Sequence, residues 1–468
     1  MKSMRTTHPL QWLSAAFAIS LFYSLHAAAD SPESLPDAEI NRAIEEKFRV
    51  DPVVPYNDID VYTLEGIVNL EGETQNLLAK RRASLVAETV KGARAVTNRI
   101  KVKPPESISA ADLKESIEDA FLYDPVADAY EIEVHTQQDG TVRLTGEVDS
   151  QQESELAARV AMGVNGVTQL HNELSVNQQT RRPDHETKAE IESLLAWNTL
   201  VDDVLIDVHV RDGVVKLNGT VGSLTEKRQA EKIAWVGGIK EVDTSNLRIE
   251  HWARDEAPGA DKYASKSDES IQQAINDALI YDPRIVGQDV TPEVDESWVT
   301  LSGNVDNLLA KESAETIAHN TVGVNGVTNR IEIRSEKSFD EQALTDIITS
   351  KLDRDPLVRS DAVNVSVRGS TVRLTGVVDS LFEKARCETL AQSTLGATEI
   401  KNDIKVTEQK PAIAYVPNRS LDDLSTAIHD GAATLLGKVE SQKEKYAATE
   451  NAIEGGPFFA ASKIVVDS

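Results

Sequence analysis

A seven-residue phrase, Val-x-Leu-x-Gly-x-Val, recurs along this chain of 468 residues and constrains its fold more than any other feature. Four copies are close matches, and two looser copies lie towards the ends of the chain. The glycines of the six copies are Gly72, Gly146, Gly219, Gly303, Gly376 and Gly437. Three of the five spacings between them are 73 or 74 residues. The chain is therefore predicted to be a tandem array of one unit of about 70 residues.

The residues before each phrase predict a helix and then a strand. In the second copy Leu113, Ile117, Ala120 and Phe121 follow the spacing of an amphipathic helix. An Asp-Pro pair stops this helix in four copies, because proline cannot continue it. The pairs are Asp51-Pro52, Asp124-Pro125, Asp282-Pro283 and Asp355-Pro356. An alternating strand follows, and then a tight turn that is often Asp-Gly, as at Asp139-Gly140, Asp212-Gly213 and Asp430-Gly431; this dipeptide is typical of type I′ hairpins.

The phrase itself is predicted to be the returning strand of the hairpin. Its glycine is expected to let a second helix approach closely. That helix begins at a Ser-x-x-Glu capping box in four copies, at Ser150, Ser223, Ser380 and Ser441. A third strand follows, and a strand–helix–strand connection within one sheet is parallel. Each unit is thus predicted to be α-β-β-α-β, a three-stranded mixed sheet packed against two helices, and the fold class is α+β.

The Asp-Pro stop, the repeated phrase, the alanine-rich second helix and endings such as Gly323-Val324-Asn-Gly-Val327-Thr-Asn329 together resemble the BON (bacterial OsmY and nodulation) domain. We number the units by the boundaries that the repeats give: unit 1, 37–104; unit 2, 110–177; unit 3, 184–250; unit 4, 268–334; unit 5, 339–407; and a partial unit 6, 420–466. Unit 6 lacks the first helix, so we expect it to lean on unit 5 or to remain loose. Residues 251–267 form the longest linker and are a predicted hinge.

The amino terminus has the pattern of an export signal. Lys2 and Arg5 precede an apolar run from Leu10 to Leu25, and small residues follow at 27–29. We expect cleavage near Ala29, so residues 1–29 are a predicted signal peptide and the mature protein is periplasmic or secreted. The alternative is a transmembrane anchor, but the apolar run is short for a span of about 20 residues.

Residues that could carry chemistry are few. Cys387 is the one cysteine, which excludes an intrachain disulfide or a cysteine-cluster metal site, and in an alanine-rich helix it is predicted to be a packing residue. His135 and His209 occupy equivalent strand positions that are expected to face solvent. No catalytic residue, cofactor or metal site is predicted, and the protein is not expected to be an enzyme. The net charge of −28 argues against binding to nucleic acid.

Charge is distributed unevenly along the chain. Residues 74–104, which we call the basic segment, contain eight Lys and Arg residues against the single acid Glu88. Ala79, Ala83, Val86 and Val90 are predicted to be the buried stripe of its helix, which turns at least Arg81 outward. One hypothesis is that this face binds anionic phospholipid through Lys80, Arg81, Arg82, Lys91 and Arg94. The alternative is a solvated surface offset by the acidic first half of unit 1.

An aromatic residue ends the first helix in three units, at Tyr123, Trp197 and Tyr281. It either caps the core of its own unit or forms a contact by which units dock.

The resemblance implies an exported protein of the bacterial envelope, in a family linked to osmotic protection, phospholipid interaction and secretion machinery. We therefore expect a non-enzymatic, envelope-associated binding protein that helps to maintain the envelope under osmotic stress. Tethered modules would bind multivalently, because each gains effective concentration from its neighbours. Two alternatives remain open: a phospholipid-binding module acting through unit 1, and a protein-binding scaffold. The expected partners are envelope phospholipids or envelope proteins.

Overall fold

The computed structural model describes most of the chain between Leu35 and Val466, and all of the described residues lie in the compact unit Leu35–Ser468. The described residues are 35–105, 107–122, 132–176, 182–250, 252–255, 262, 264–285, 288–334, 339–407, 425–429, 432–439, 445 and 458–466. The predicted signal peptide, Tyr123, Asp124-Pro125, Asp430-Gly431 and Ser441 lie outside them.

Unit 1 has the predicted order of helices and strands. Its elements are α1 (Asp37–Val50), β1 (Ile59–Leu64), β2 (Ile67–Thr74), α2 (Leu77–Glu88), β3 (Ala95–Asn98) and β4 (Lys101–Val102). Strands β1 and β2 pair antiparallel, whereas β3 and β4 both pair parallel with β2. They are two halves of the predicted third strand, so the sheet is mixed.

Units 2 and 3 repeat this arrangement. Unit 2 contains α3 (Ala110–Leu122), β5 (Ile132–Thr136), β6 (Thr141–Val148), α4 (Gln151–Met162) and β7 (Gln169–Val176). Unit 3 contains α5 (Asp184–Trp197), β8 (Ile206–Arg211), β9 (Val214–Val221), α6 (Leu224–Ala234), β10 (Glu241–Asp243) and β11 (Leu247–Ile249). A short helix, α7 (Trp252–Asp255), follows unit 3. The third strand is continuous in unit 2 and interrupted in unit 3.

Units 4 and 5 complete the array of whole units. Unit 4 contains α8 (Asp268–Leu279), β12 (Asp289–Asp295), β13 (Trp298–Val305), α9 (Leu308–His319), β14 (Gly326–Asn329) and β15 (Glu332–Ile333). Unit 5 contains α10 (Glu341–Arg354), β16 (Val363–Arg368), β17 (Thr371–Val378), α11 (Leu381–Gln392), β18 (Glu399–Asn402) and β19 (Lys405–Val406).

Each whole unit has its own hydrophobic core between the sheet and its two helices. In unit 1, α1 contributes Ile44 and Phe48, the returning strand contributes Val68 and Leu70, and α2 contributes residues such as Val86. The predicted stripe Ala79, Ala83, Val86 and Val90 is buried. The structure therefore confirms the α+β fold, in which alternation along the returning strand buries one face of the sheet.

Side chains that the repeats share fix the amino-terminal part of the second helix. Ser150 caps α4 by accepting a hydrogen bond from the Glu153 N–H at 3.1 Å, as the capping box predicts. Asn98 on the third strand of unit 1 donates to the Lys80 carbonyl oxygen in the first turn of α2 at 2.7 Å, and it accepts from the Ile100 N–H at 3.0 Å. Equivalent asparagines in units 2, 4 and 5 make the same contacts, at Asn172, Asn329 and Asn402. This bridge explains why an asparagine recurs after the third strand begins.

The reason predicted for the repeated glycine is wrong. Gly219 has φ +120°, and a Cβ on it would lie 2.0 Å from the carbonyl oxygen of Leu205. Gly72, Gly303 and Gly376 meet a backbone oxygen in the same way. The tight neighbour is thus the start of the hairpin's first strand, not the second helix. An L-side chain would clash there and would also need a left-handed backbone.

The Asp-Gly turns are not all of one type. Asp212 and Gly213 both have positive φ, at +53° and +79°, as a type I′ turn requires. At Asp139-Gly140 the type I′ prediction is wrong, because only Gly140 has positive φ, at +81°. The hairpin of unit 2 has one more residue in its turn, which closes with a hydrogen bond from the Gly140 N–H to the Gln137 carbonyl oxygen.

Residues near the carboxyl end form a further small sheet. It contains β20 (Ser425–His429), β21 (Ala432–Val439) and β22 (Phe458–Val466), with β21 between an antiparallel and a parallel neighbour. Gly437 lies in β21. Strand β20 lies against α11 of unit 5, and β22 lies against α9 and β14 of unit 4. The sheet therefore contacts both units, whereas the sequence suggested unit 5 alone or no support.

Candidate functional site: the basic segment and the junctions between units

The aspartate of the Asp-Pro stop has a second function that the sequence did not reveal. Helices α1 and α10 end one residue before Asp51 and Asp355, as predicted. Asp51 then accepts hydrogen bonds from the N–H groups of Val53 and Val54, and from Arg82 Nε at 2.7 Å. Asp355 and Arg386 form the equivalent pair in unit 5. Each arginine lies ten positions after its unit's repeated glycine, which is the signal that could have identified the pair.

This ion pair removes Arg82 from the exposed basic face. The side chains of Arg82 and Asp51 are 6% and 5% exposed, so the expectation that Arg82 lies on the surface is wrong. Arg81 is exposed, as predicted, and its Nη1 lies 3.7 Å from Met162 Sδ in unit 2. Lys80 is half-buried, and this burial lowers its pKa. Lys91 and Arg94 are exposed.

Acids of unit 1 offset part of the basic segment. Arg99 Nη1 lies 3.3 Å from Glu71 Oε1, and Lys103 pairs with Glu73. These exposed pairs contribute little stability, but they reduce the local positive potential. Unit 1 therefore presents less positive charge than its sequence indicates, and Arg94 is an exposed cation beside its hairpin turn.

An apolar patch lies on the hairpin of unit 1, which we call the hairpin patch. Tyr62, Leu64 and Ile67 are 60%, 56% and 45% exposed. Leu64 and Ile67 pair across the strands, and Arg94 lies beside Gly66 at the turn. The other four units have more polar residues at these register positions: His135, Gln137 and Thr141; His209, Arg211 and Val214; Glu293, Asp295 and Trp298; and Ser366, Arg368 and Thr371. Unit 1 thus differs from the other four units in having an apolar surface at its hairpin.

Units 3 and 4 dock through the aromatic position at the end of helix one. Trp197 of unit 3 packs against the core of unit 4, and Tyr281 of unit 4 packs against the core of unit 3. The Val322 N–H donates to the Trp197 carbonyl oxygen at 2.9 Å, and the Tyr281 hydroxyl donates to Glu190. The same position therefore works reciprocally in both units, which supports the docking interpretation of Trp197 and Tyr281.

Units 2 and 5 use the same position with a different residue. Arg354 takes the place of Trp197, and its carbonyl oxygen accepts from the Asn165 N–H at 2.7 Å. Its Nη1 lies 3.6 Å from Asp119 Oδ2 in unit 2. Asn165 corresponds to Val322 by its distance from the repeated glycine. The backbone contact recurs, so the docking depends on the place in the unit more than on an aromatic side chain.

The linker after unit 3 is attached to that unit through Lys262. Its ammonium group donates to the carbonyl oxygens of Leu195 and Val201 and lies 2.8 Å from Asp203 Oδ1. The side chain is buried, so it satisfies the carboxyl end of α5. This residue of the predicted hinge is therefore fixed to unit 3.

The remaining candidate residues fit structural roles. Cys387 is buried, and burial raises the pKa of its thiol to about 12, which disfavours the reactive thiolate. His135 and His209 are exposed, as predicted. Among the described residues, no cluster of three His, Cys, Asp or Glu side chains could hold a metal ion. No helix within the described ranges is long and apolar enough to cross a bilayer.

Comparison with known proteins agrees with the repeat pattern. A family model described as "BON domain" matches residues 36–104, 109–178, 183–250, 267–335 and 340–408. The chain is 31% identical over 144 residues to "Osmotically-inducible protein Y" of Escherichia coli (strain K12), over 30% of this chain and 72% of that protein.

Two solved structures have low sequence identity to this chain. One is the C-terminal domain of CdsD, "the structural protein of the Type III secretion system of Chlamydia trachomatis", which is 12% identical and covers 46% of this chain and 100% of its own. A second CdsD structure is 14% identical and covers 47% of this chain and 100% of its own. Both TM-scores are 0.13.

Proposed function

The chain belongs to the BON-domain family, and from that premise we propose that it is an exported, non-enzymatic binding protein that maintains the bacterial envelope under osmotic stress. The observation that carries this proposal is the set of five family modules joined by specific contacts in one chain. The similarity to an osmotically inducible protein supports the stress role. Several modules in one chain would give multivalent binding that no single module supplies.

Fractionation of cells and a growth assay test this proposal together. The full-length protein with a carboxyl-terminal tag is expected in the periplasmic fraction, shortened by removal of residues near 1–29. Deletion of its gene is expected to slow growth after a hyperosmotic shift, and the full-length gene should restore growth. Retention of the uncleaved chain in the cytoplasm would contradict export, and unchanged growth of the deletion strain would contradict the stress role.

We also propose a second candidate function, phospholipid binding through unit 1, because the hairpin patch favours it. Apolar Leu64 and Ile67 lie close to Arg94, and such a pairing suits the interface of an anionic bilayer. Of the five cations proposed from the sequence, Lys91 and Arg94 best fit this role. Arg82 does not fit it, because it is buried against Asp51.

Cosedimentation with phosphatidylglycerol vesicles tests the second function. The full chain with Leu64→Arg and Ile67→Thr, the residues of unit 5, should lose vesicle binding if the hairpin patch inserts. Lys91→Gln and Arg94→Gln should weaken binding mainly at low salt. The matched control is Arg368→Leu with Thr371→Ile. These changes create the same apolar pair on the hairpin of unit 5, where the cations of the basic segment are absent. Equal binding by the native chain and the first variant would refute this function.

A further inference from the structure

The second helices of the first three units meet at one place in the molecule. Gln152 on α4 donates to the Trp235 carbonyl oxygen at 2.6 Å, which joins units 2 and 3. Arg81 on α2 reaches Met162 at the end of α4, and Arg228 on α6 forms an ion pair with Glu88 on α2. Three units therefore contact one another in pairs. The turn after α8 of unit 4 faces the same place.

Five cations from these four units line this place. They are Arg81, Arg159, Arg228, Lys232 and Arg284, and we call them the cationic cleft. Arg284 and Arg81 each lie close enough to Arg159 to lower its pKa, and Arg284 and Arg159 do the same to Lys232. Arg228 acts on Arg81 in the same way. The acids that face the cleft are Glu88, Glu155, Glu231 and Asp282.

Two of the five cations already have close carboxylate partners. One edge of the Arg284 guanidinium donates to both carboxylate oxygens of Asp282, at 2.9 Å for Nε to Oδ1 and 2.7 Å for Nη2 to Oδ2. Arg228 pairs with Glu88. The other three share carboxylates: Asp282 acts on Arg159 and Lys232, Glu88 acts on Arg81, and Glu155 acts on all three. Glu155 Oε2 lies 3.8 Å from Arg159 Nη1, the long end of ion-pair distances. The five cations face four acids, which leaves an excess of positive charge in the cleft.

The cleft is recessed but open to water. The side chains of Arg159 and Arg228 are 42% and 50% exposed, and Arg81 and Lys232 are also exposed. Surrounding protein nevertheless lowers the pKa of Arg159 to about 10, chiefly by desolvation. A dissolved anion could enter such a recess and meet several donors at once. Phosphate groups suit it, because their oxygens accept charge-assisted hydrogen bonds from guanidinium groups.

We propose that the cationic cleft binds a phosphate group, carried either by a small free phosphate anion or by a lipid headgroup. Arg159 and Lys232 would contact the phosphate oxygens, and Arg81 would close the site from unit 1. The site would exist only while units 1 to 4 are assembled, because each of them contributes a cation. This inference does not depend on the proposed function, since the hairpin patch and the export signal are not part of the cleft.

Calorimetric titration of the full-length chain with sodium pyrophosphate at low ionic strength tests the proposal. Arg159→Gln with Lys232→Gln should raise Kd about tenfold or more, because each removes a charge-assisted contact. Arg159→Lys retains the charge and should bind more tightly than Arg159→Gln. The matched control is Arg99→Gln, which removes an exposed cation outside the cleft and should leave Kd unchanged. A thermal melt of each variant checks that the units remain folded.

The competing sources are separated with phosphatidylglycerol vesicles. If pyrophosphate binds the native chain and also displaces it from vesicles, the cleft takes a lipid headgroup; if it binds without affecting vesicles, the ligand is a free phosphate. The proposal is overturned if pyrophosphate does not bind the native chain. It is equally overturned if the double variant keeps the native Kd. The same holds if Arg99→Gln raises Kd as much per lost charge as the double variant does, because affinity would then follow net charge alone.

Discussion

At the residue scale, a few polar side chains do the same work in several units. Asp37 in the first turn of α1 accepts hydrogen bonds from the N–H groups of Glu65 and Gly66 in the hairpin turn. Asp268 accepts hydrogen bonds from two N–H groups in the hairpin turn of unit 4 in the same way. In units 1 and 4 these equivalent carboxylates therefore fix the hairpin to the start of helix one. Stability at this scale depends on geometry at a few positions.

Gly219→Ala is expected to destabilise unit 3 by about 3 kcal/mol, because a Cβ would lie 2.0 Å from the Leu205 carbonyl oxygen in a left-handed conformation. Gly237→Ala in the same unit is the control. A Cβ added at Gly237 would have no neighbouring atom within 4 Å, so this substitution should change stability by less than about 0.5 kcal/mol. Hydrogen exchange of β9 amides in the full chain measures both. Equal protection in the two variants would contradict this account of the repeated glycine.

Arg82→Met is expected to cost about 3 kcal/mol, because it leaves the buried Asp51 carboxylate without its cation. Asp51→Asn combined with Arg82→Met should recover part of this loss, since the charge is then absent. The control is Arg99→Met, whose exposed pair with Glu71 should contribute under about 1 kcal/mol. Urea unfolding of the full chain, with exchange of α2 amides as a local probe, distinguishes these outcomes. A neutral Arg82→Met would show that the pair is dispensable.

At the element scale, the carboxyl-terminal sheet takes its support from neighbouring units. The Val466 N–H donates to the Asn325 carbonyl oxygen at 2.9 Å, and Lys445 donates to the Val324 carbonyl oxygen at 2.9 Å. Helices α9 and α11, which belong to units 4 and 5, lie against its outer strands. The second helices of units 4 and 5 therefore contact this sheet as well as the sheets of their own units.

The attachment of this sheet is expected to strengthen as pH rises from about 7 to about 10. Burial lowers the pKa of Lys445 to about 7, well below its value in the unfolded chain. Between these two pKa values the unfolded state binds more protons, so stability increases with pH across that interval. Exchange of the Val466 amide should slow accordingly in native protein. Lys445→Met should abolish this dependence, and an unchanged pH profile in that variant would refute the assignment.

At the scale of the whole molecule, the units are joined by one recurring contact. The residue ending helix one meets the loop after helix two of another unit, in units 3 and 4 and again in units 5 and 2. Neighbours in space are thus not always neighbours in sequence, because unit 5 docks on unit 2. The array is held by interfaces between modules in addition to its linkers.

Trp197→Ala is expected to loosen units 3 and 4 without unfolding either one. The side chain fills a place on the core of unit 4, and its removal should cost about 2 kcal/mol of docking energy. Small-angle scattering of the full chain should then give a larger radius of gyration. Trp298→Ala is the control, because Trp298 on β13 is 40% exposed, and it should leave the radius of gyration unchanged. An unaltered radius in Trp197→Ala would show that other contacts suffice.

The sequence by itself determined the repeated α-β-β-α-β unit, the helix caps and the buried stripe of α2. These depend on local periodicity, proline and capping chemistry, which act within a few residues. It did not determine that Arg82 pairs with Asp51 or that the repeated glycine meets the preceding strand, since both contacts join distant residues. Nor could it place unit 5 on unit 2 or bring five cations into one cleft. Those arrangements arise only when separate cores pack, because packing alone selects which exposed residues become neighbours.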